Sequence, residues 1–174
     1  NSDYTEPCVD ICDTVIAQIN ANAPRSYGNS ISLDRVTWIV EADTPLVEVP
    51  MGRITPVEQK IGSYIAPLIP DGACLQLGIG GAGVLSQLHD KKDLGIHTEL
   101  FSDGVVDLYN EGVINNSRKQ IDVGKIVTNT VMGTQKTFDF VNNNPDVLIK
   151  PVDYTNDPYI IAQNDNMISI NSCL

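Results

Sequence analysis

Ala73-Cys-Leu-Gln-Leu-Gly-Ile-Gly-Gly-Ala-Gly-Val-Leu-Ser-Gln-Leu-His-Asp-Lys-Lys-Asp-Leu-Gly-Ile-His-Thr-Glu-Leu-Phe-Ser-Asp-Gly104 is the stretch from which the rest of this chain can be read. A short apolar run, Ala73 to Leu77, meets a cluster of glycines at 78, 80, 81 and 83. A brief apolar-periodic segment follows at Val84, Leu85 and Leu88, then a charged turn and a second apolar run ending on Glu99. The pattern predicts strand, glycine turn, helix and strand, with a carboxylate at the exit of the second strand. Ligands of open α/β sheets sit at the carboxyl ends of strands. Glycines allow backbone amides to approach a ligand without a Cβ in the way, and amides at a helix start favour anions.

On pattern alone two chemistries and a plain tight turn remain open. Gly78-x-Gly80-x-x-Gly83 fits a dinucleotide fingerprint, and Glu99 follows at about the 20-residue spacing of a ribose-binding acid. Alternatively, Glu99 is a nucleophile and the amides of Ile79, Gly80 and Gly81 form an oxyanion hole.

Working outward, the 174 residues allow one large domain or parts of two. A net charge of −11, with only 11 lysines and arginines, argues against nucleic acid and against an anionic membrane surface as partner. The four cysteines, Cys8, Cys12, Cys74 and Cys173, form no zinc-ligand pattern, so no metal site is expected; they read as reduced thiols of a cytoplasmic protein. No apolar run reaches the ~18 residues of a membrane span.

Before the glycine stretch, Val9, Cys12, Val15, Ile16 and Ile19 predict a helix running through Asn20, and residues 36–40 predict a strand. The proline-rich residues 41–56 read as an inter-domain linker. Thr55-Pro56-Val57-Glu58 carries the signature of a capping box at a helix start. After Gly104, a short helix from Val105, strands at 126–132, 147–152 and 167–170, and a short helix at 136–141 complete an alternation. The expected fold is α/β, an open and largely parallel sheet with flanking helices. Ser86 and His89 make no triad, for no G-x-S-x-G is present.

Five longer motifs then point together: residues 78–81, Gly-Ile-Gly-Gly; 95–104, Gly-Ile-His-Thr-Glu-Leu-Phe-Ser-Asp-Gly; 112–119, Gly-Val-Ile-Asn-Asn-Ser-Arg-Lys; 151–158, Pro-Val-Asp-Tyr-Thr-Asn-Asp-Pro; and 161–173, Ile-Ala-Gln-Asn-Asp-Asn-Met-Ile-Ser-Ile-Asn-Ser-Cys. In these the chain resembles the acetyl-CoA hydrolase/transferase family, and within it the bacterial 4-hydroxybutyrate and butyryl-CoA:acetate CoA-transferases. The resemblance implies a fragment of a two-domain protein: residues 1–50 the end of an N-terminal α/β domain plus linker, residues 51–174 the first part of a C-terminal catalytic domain. It implies CoA transfer between an acyl-CoA and a short-chain carboxylate (acetate, butyrate or 4-hydroxybutyrate), through a glutamyl-CoA thioester on Glu99.

The same resemblance assigns CoA and thioester contact to Gly78, Ile79, Gly80, Gly81, Ala82 and Leu174, and the substrate carboxylate to Asn156. It implies a coenzyme A thioester as substrate rather than a resident cofactor, and a homo-oligomer. Acetyl-CoA hydrolase is the neighbouring alternative within the family; an NAD-binding oxidoreductase domain is the alternative from another class. Beside these assignments, His97 reads as structural, Asp103 as a turn former, residues 164–166 as a turn, and Arg118 and Lys119 as a solvated basic pair with CoA phosphates as alternative partners.

Overall fold

The computed structural model describes residues 4–78 and 80–172. The elements run α1 (Thr5–Ile11), β1 (Ile16–Asn20), β2 (Trp38–Ala42), α2 (Pro56–Ile65), β3 (Cys74–Leu77), α3 (Ala82–Leu85), β4 (Gly95–Phe101) and α4 (Asp103–Asn110). They continue as β5 (Ile126–Val131), α5 (Gln135–Val141), β6 (Val147–Ile149), α6 (Val152–Thr155), α7 (Pro158–Ile161) and β7 (Met167–Ile170). β1 and β2 form a two-stranded parallel sheet, and the other five strands form an all-parallel sheet in the order β6-β5-β4-β3-β7.

From β3 the chain lays β4, β5 and β6 successively on one side, then returns across the sheet to place β7 on the other side of β3. Right-handed crossovers taken in opposite directions put their helices on opposite faces. Accordingly α2, α3, α4 and α5 pack in series, whereas α6 packs with α7 and against β4 and β5. The core between layers holds Ile69, Leu75, Leu88, Leu94, Ile96, Phe101, Leu108, Ile114 and Ile126, all essentially without solvent contact. Strands covered on both faces need near-continuous apolar runs, which is how β3 and the start of β5 read.

The expected capping box is present: Thr55 Oγ1 accepts from the Glu58 N–H, and the Glu58 carboxylate accepts from the Thr55 N–H at 2.7 Å. The helix expected through Asn20 is corrected. It stops at Ile11, and residues 16–20 are a strand paired in register with residues 38–42. Ile16 and Ile19 suit either period, and parallel pairing with the β-branched, aromatic Trp38–Ala42 segment wins over the local helical spacing. A second correction concerns residues 147–152. The strand ends at Ile149, and α6 starts right after Pro151, which sits at its N-cap.

The N-terminal residues also meet the larger sheet. Tyr27 forms a parallel bridge with Leu148, its carbonyl accepting from the Ile149 N–H at 2.7 Å. In residues 43–54, where no helix or strand occurs, Val49 donates to the Gly133 carbonyl at 2.9 Å.

Candidate active site

β3 and β4 pair only at Cys74↔Gly95 and Leu75↔Ile96. Beyond that the strands part, and the Thr98 hydroxyl occupies the seam. It accepts from the Leu77 N–H and donates to the Leu77 carbonyl, both at 2.8 Å. A single side chain thus satisfies the backbone groups that a continued ladder would have used, and the carboxyl ends of the two strands are free to diverge around a ligand.

The glycine segment follows β3. Gly78 donates to the Ile170 carbonyl at 2.9 Å, and Gly81 closes a turn onto the Gly78 carbonyl at 3.3 Å. Gly80 has φ +96, open to a residue without Cβ. Two of the amides assigned to the thioester oxygen, those of Gly78 and Gly81, are thus committed within the protein. A Cβ at Gly78 would lie 2.0 Å from Asn171 Oδ1, so the loop lies directly against the chain leaving β7. Asn171 is itself held by reciprocal hydrogen bonds with Gln76. Gly78, Gly80, Gly81 and Ala82 border a mainly apolar cleft of about 220 Å³, shared with Met51, Leu77, Leu85, Leu100 and Met132. Ile79 and Leu174, also assigned to CoA contact, lie outside the described residues.

Glu99 is half-buried, and β4 continues two residues beyond it to Phe101 rather than ending there. Alternation along a strand sends neighbouring side chains to opposite faces. Leu100 faces the cleft on the α3 side, while Glu99 reaches the α6 side. There Asn156 Nδ2 donates to Glu99 Oε2 at 2.7 Å. The two residues are separated by 57 positions in the chain, and the return crossing of the sheet brings them together. The nucleophile and the carboxylate-binding amide expected from the sequence therefore meet in space.

Beneath this pair lies a buried polar layer that the sequence reading did not foresee. His97 and Asn129 are fully buried, as is Thr155. His97 Nε2 lies 3.1 Å from the Thr155 carbonyl, and Asn129 Nδ2 donates to Thr155 Oγ1 at 2.9 Å. Burial, reinforced by the nearby Lys119 charge, pushes the His97 pKa down, so the ring is neutral with its proton on the nitrogen facing the carbonyl. His97, read from the sequence as structural, is a buried ring bonded to the backbone below the Glu99–Asn156 pair. The one available signal for Asn129 was an amide in the middle of an otherwise apolar and β-branched strand.

Asp103 does more than form a turn. It opens α4 and accepts from the Thr134 N–H and Oγ1, each at 3.1 Å, and from Thr137 Oγ1. Burial opposes ionisation, but these hydrogen bonds outweigh it and hold the carboxyl below the usual aspartate range. Lys119 is not solvated: it is 4% exposed, with Nζ donating to the Ile96 carbonyl at 3.0 Å and the Lys125 carbonyl at 2.7 Å. Arg118 is the exposed member of the pair and faces Asp93.

The geometry defines an α/β unit with a carboxylate and a carboxylate-binding amide facing each other at the carboxyl ends of parallel strands. The crystal structure of a 4-hydroxybutyrate CoA-transferase from Porphyromonas gingivalis superposes with TM-score 0.94 at 44% identity, covering 100% of this chain and 45% of that one. A 4-hydroxybutyrate coenzyme A transferase from Clostridium kluyveri is 50% identical over 177 residues, 100% of this chain and 41% of that protein. A succinyl-CoA:cyclohexane-1-carboxylate CoA transferase from Geobacter metallireducens is 48% identical, covering 98% of this chain and 40% of its own length. Residues 133–174 match the acetyl-CoA hydrolase/transferase C-terminal domain. The chain belongs to the acetyl-CoA hydrolase/transferase family, and it spans about two fifths of the length of these curated relatives.

The dinucleotide reading gives way to the likeness of the whole chain to CoA transferases. Gly83, its third glycine, is placed by helix packing: a Cβ there would lie 2.6 Å from the Glu58 carbonyl oxygen of α2. The Glu99 carboxylate is engaged by Asn156.

Proposed function

We propose that this chain carries the nucleophile of a CoA-transferase acting between an acyl-CoA and a short-chain carboxylate. The observation that carries the reading is the 2.7 Å hydrogen bond between Asn156 and Glu99, in a chain whose curated relatives are named CoA transferases. An amide beside a half-buried carboxylate suits a site that must hold one carboxylate against another. Its two N–H groups donate and its oxygen tolerates no proton, so it orients anions without neutralising them.

The steps balance without an external reagent. A Glu99 oxygen attacks the thioester carbonyl, the carbon–sulfur bond breaks, and a mixed anhydride and CoA thiolate result. The thiolate attacks the glutamyl carbonyl of the anhydride, releasing the first acid as its carboxylate and leaving a glutamyl-CoA thioester. The acceptor carboxylate, held by Asn156, attacks that thioester and expels CoA thiolate. The thiolate then takes the acyl carbonyl of the second anhydride and restores the Glu99 carboxylate. Covalent catalysis of this kind gives ping-pong kinetics. Each tetrahedral oxyanion needs preorganised donors, worth ~3–4 kcal/mol apiece, and among the described loop residues the Gly80 and Ala82 amides supply them. Water must be kept from the anhydride.

The domain division belongs to the same proposal. Exposed Ile16, Trp38, Ile39 and Val40 on the two-stranded sheet support residues 1–50 as the close of one unit and 51–174 as the opening of the catalytic one. A cytoplasmic location and a homo-oligomer complete it; among the described residues no helix is long and apolar enough to cross a membrane.

The test is covalent. Full-length protein incubated with an acyl-CoA and no acceptor should carry CoA on Glu99, and borohydride should then reduce that thioester to an alcohol. Mass spectrometry of the peptide spanning 95–104 reads both. Glu99→Gln should abolish labelling and turnover. Labelling of a different carboxylate, or near-normal turnover of the Gln variant, overturns the assignment.

A further inference from the structure

A helix of four residues cannot hold its own end in place, yet the end of α6 must set Asn156 within hydrogen-bond distance of Glu99. Asn156 follows Thr155 directly, and its N–H returns to the Val152 carbonyl at 2.9 Å. What fixes that turn to the sheet is the buried layer below it. The Thr155 carbonyl, which belongs to the same peptide unit as the Asn156 nitrogen, is met at 3.1 Å by Nε2 of His97. The Thr155 hydroxyl accepts from Asn129 Nδ2 at 2.9 Å and donates to the Pro151 carbonyl at 3.3 Å.

Both partners belong to the floor of the site. His97 stands two residues before Glu99 on β4 and so shares its face. The register Thr98↔Thr128 and Leu100↔Thr130 puts Asn129 level with Glu99 on the neighbouring strand. Asn129 is locked in turn, its Oδ1 accepting from Thr130 Oγ1 at 2.7 Å. Glu99 and the peptide bearing Asn156 are therefore referred to one rigid frame. His97 cannot itself reach the reacting atoms, because its donor nitrogen is spent on Thr155 and the ring is fully buried.

We infer that His97 and Asn129 are positioning residues, which set the Asn156 amide against Glu99 and through it govern how the carboxylate substrate is held. The inference rests on the transferase reading and names the residues that regulate use of the carboxylate substrate. The second half-reaction retraces the first, so the carboxylate passes Asn156 in both directions, as the acid released when the glutamyl-CoA thioester forms and as the acceptor when it is consumed.

The experiment compares acceptor use with acyl-CoA binding in the full-length protein. His97→Leu should raise the KM for the acceptor carboxylate about tenfold or more, while the dissociation constant of the acyl-CoA changes less than about threefold. His97→Gln, whose side-chain amide can still donate to the Thr155 carbonyl, should recover most of the loss. Asn129→Ala should repeat the effect of His97→Leu and serves in its place should the leucine variant fail to fold. In an Asn156→Ala background the His97 substitution should have no further effect on acceptor KM, as expected of residues acting through one group.

An unchanged acceptor KM in folded His97→Leu or Asn129→Ala protein, or an equal loss in the Asn156→Ala background, overturns the inference while leaving the transferase reading intact. No labelling of the parent protein by acyl-CoA removes that reading and the inference with it.

Discussion

Lys119 inverts a common expectation about residues. An Arg-Lys pair in a polar loop suggests solvated charge, yet the lysine stem packs against Gly95, where a Cβ would lie 2.7 Å from Lys119 Cγ. Its ammonium is spent on two backbone carbonyls. Burial lowers its pKa from 10.5 to about 8. Above that value the unfolded chain binds more protons than the folded one, so the stability contributed by this group rises with pH. The gap in unfolding free energy between the parent and Lys119→Met should widen in favour of the parent from about pH 7 to pH 9. Denaturant unfolding at a series of pH values measures it, and a flat gap would show that the ammonium is not held as described. Glu99 and Asn156 stand out in the sequence because their motifs are long and distinctive, and the fold brings the two side chains together. Lys119, Asn129 and Thr155 do not, because burial of a polar side chain depends on partners distant in sequence.

At the scale of elements, the short helix α3 illustrates a glycine whose purpose only packing explains. Gly62 of α2 and Gly83 of α3 face each other: a Cβ on Gly62 would lie 2.2 Å from the Gly83 carbonyl oxygen, and one on Gly83 would lie 2.6 Å from that of Glu58. Backbone blocks backbone on both sides, so neither contact can be relieved by turning a side chain. Gly83→Ala should therefore force the helices apart and cost about 1–3 kcal/mol. Because α3 begins where the 78–82 loop ends, the same change should also slow labelling by acyl-CoA. Thermal unfolding and single-turnover labelling report the two effects, and a variant as stable as the parent would refute the close approach. In the sequence, Gly83 read as part of a phosphate-binding fingerprint because spacing alone does not distinguish a glycine facing a ligand from one facing a helix. The capping box at Thr55 was readable, since both partners are local. The exchange of helix for strand at residues 16–20 was not, since the deciding partner lies 22 residues further on.

Across the whole molecule, the alternation of strands and helices after residue 55 was enough to foresee a parallel sheet with helices on its faces. Strand order was not readable, for nothing local in residues 167–170 says that they pair with β3 rather than extend the sheet beyond β6. Ligand class is a property of the whole molecule, and the relatives named as CoA transferases point to an acyl-CoA rather than a dinucleotide. Fluorescence titration of the full-length protein should show saturable binding of an acyl-CoA and no response to NADH; the reverse outcome would remove the transferase reading. The return from β6 to β7 also has a consequence in time. As the chain is made, the strand bearing Glu99 is laid down and flanked before the segment bearing Asn156 exists, and the loop at Gly78 gains its Ile170 and Asn171 neighbours later still. On the transferase reading, a nascent chain carries Glu99 without Asn156 or the finished loop until β7 has paired with β3.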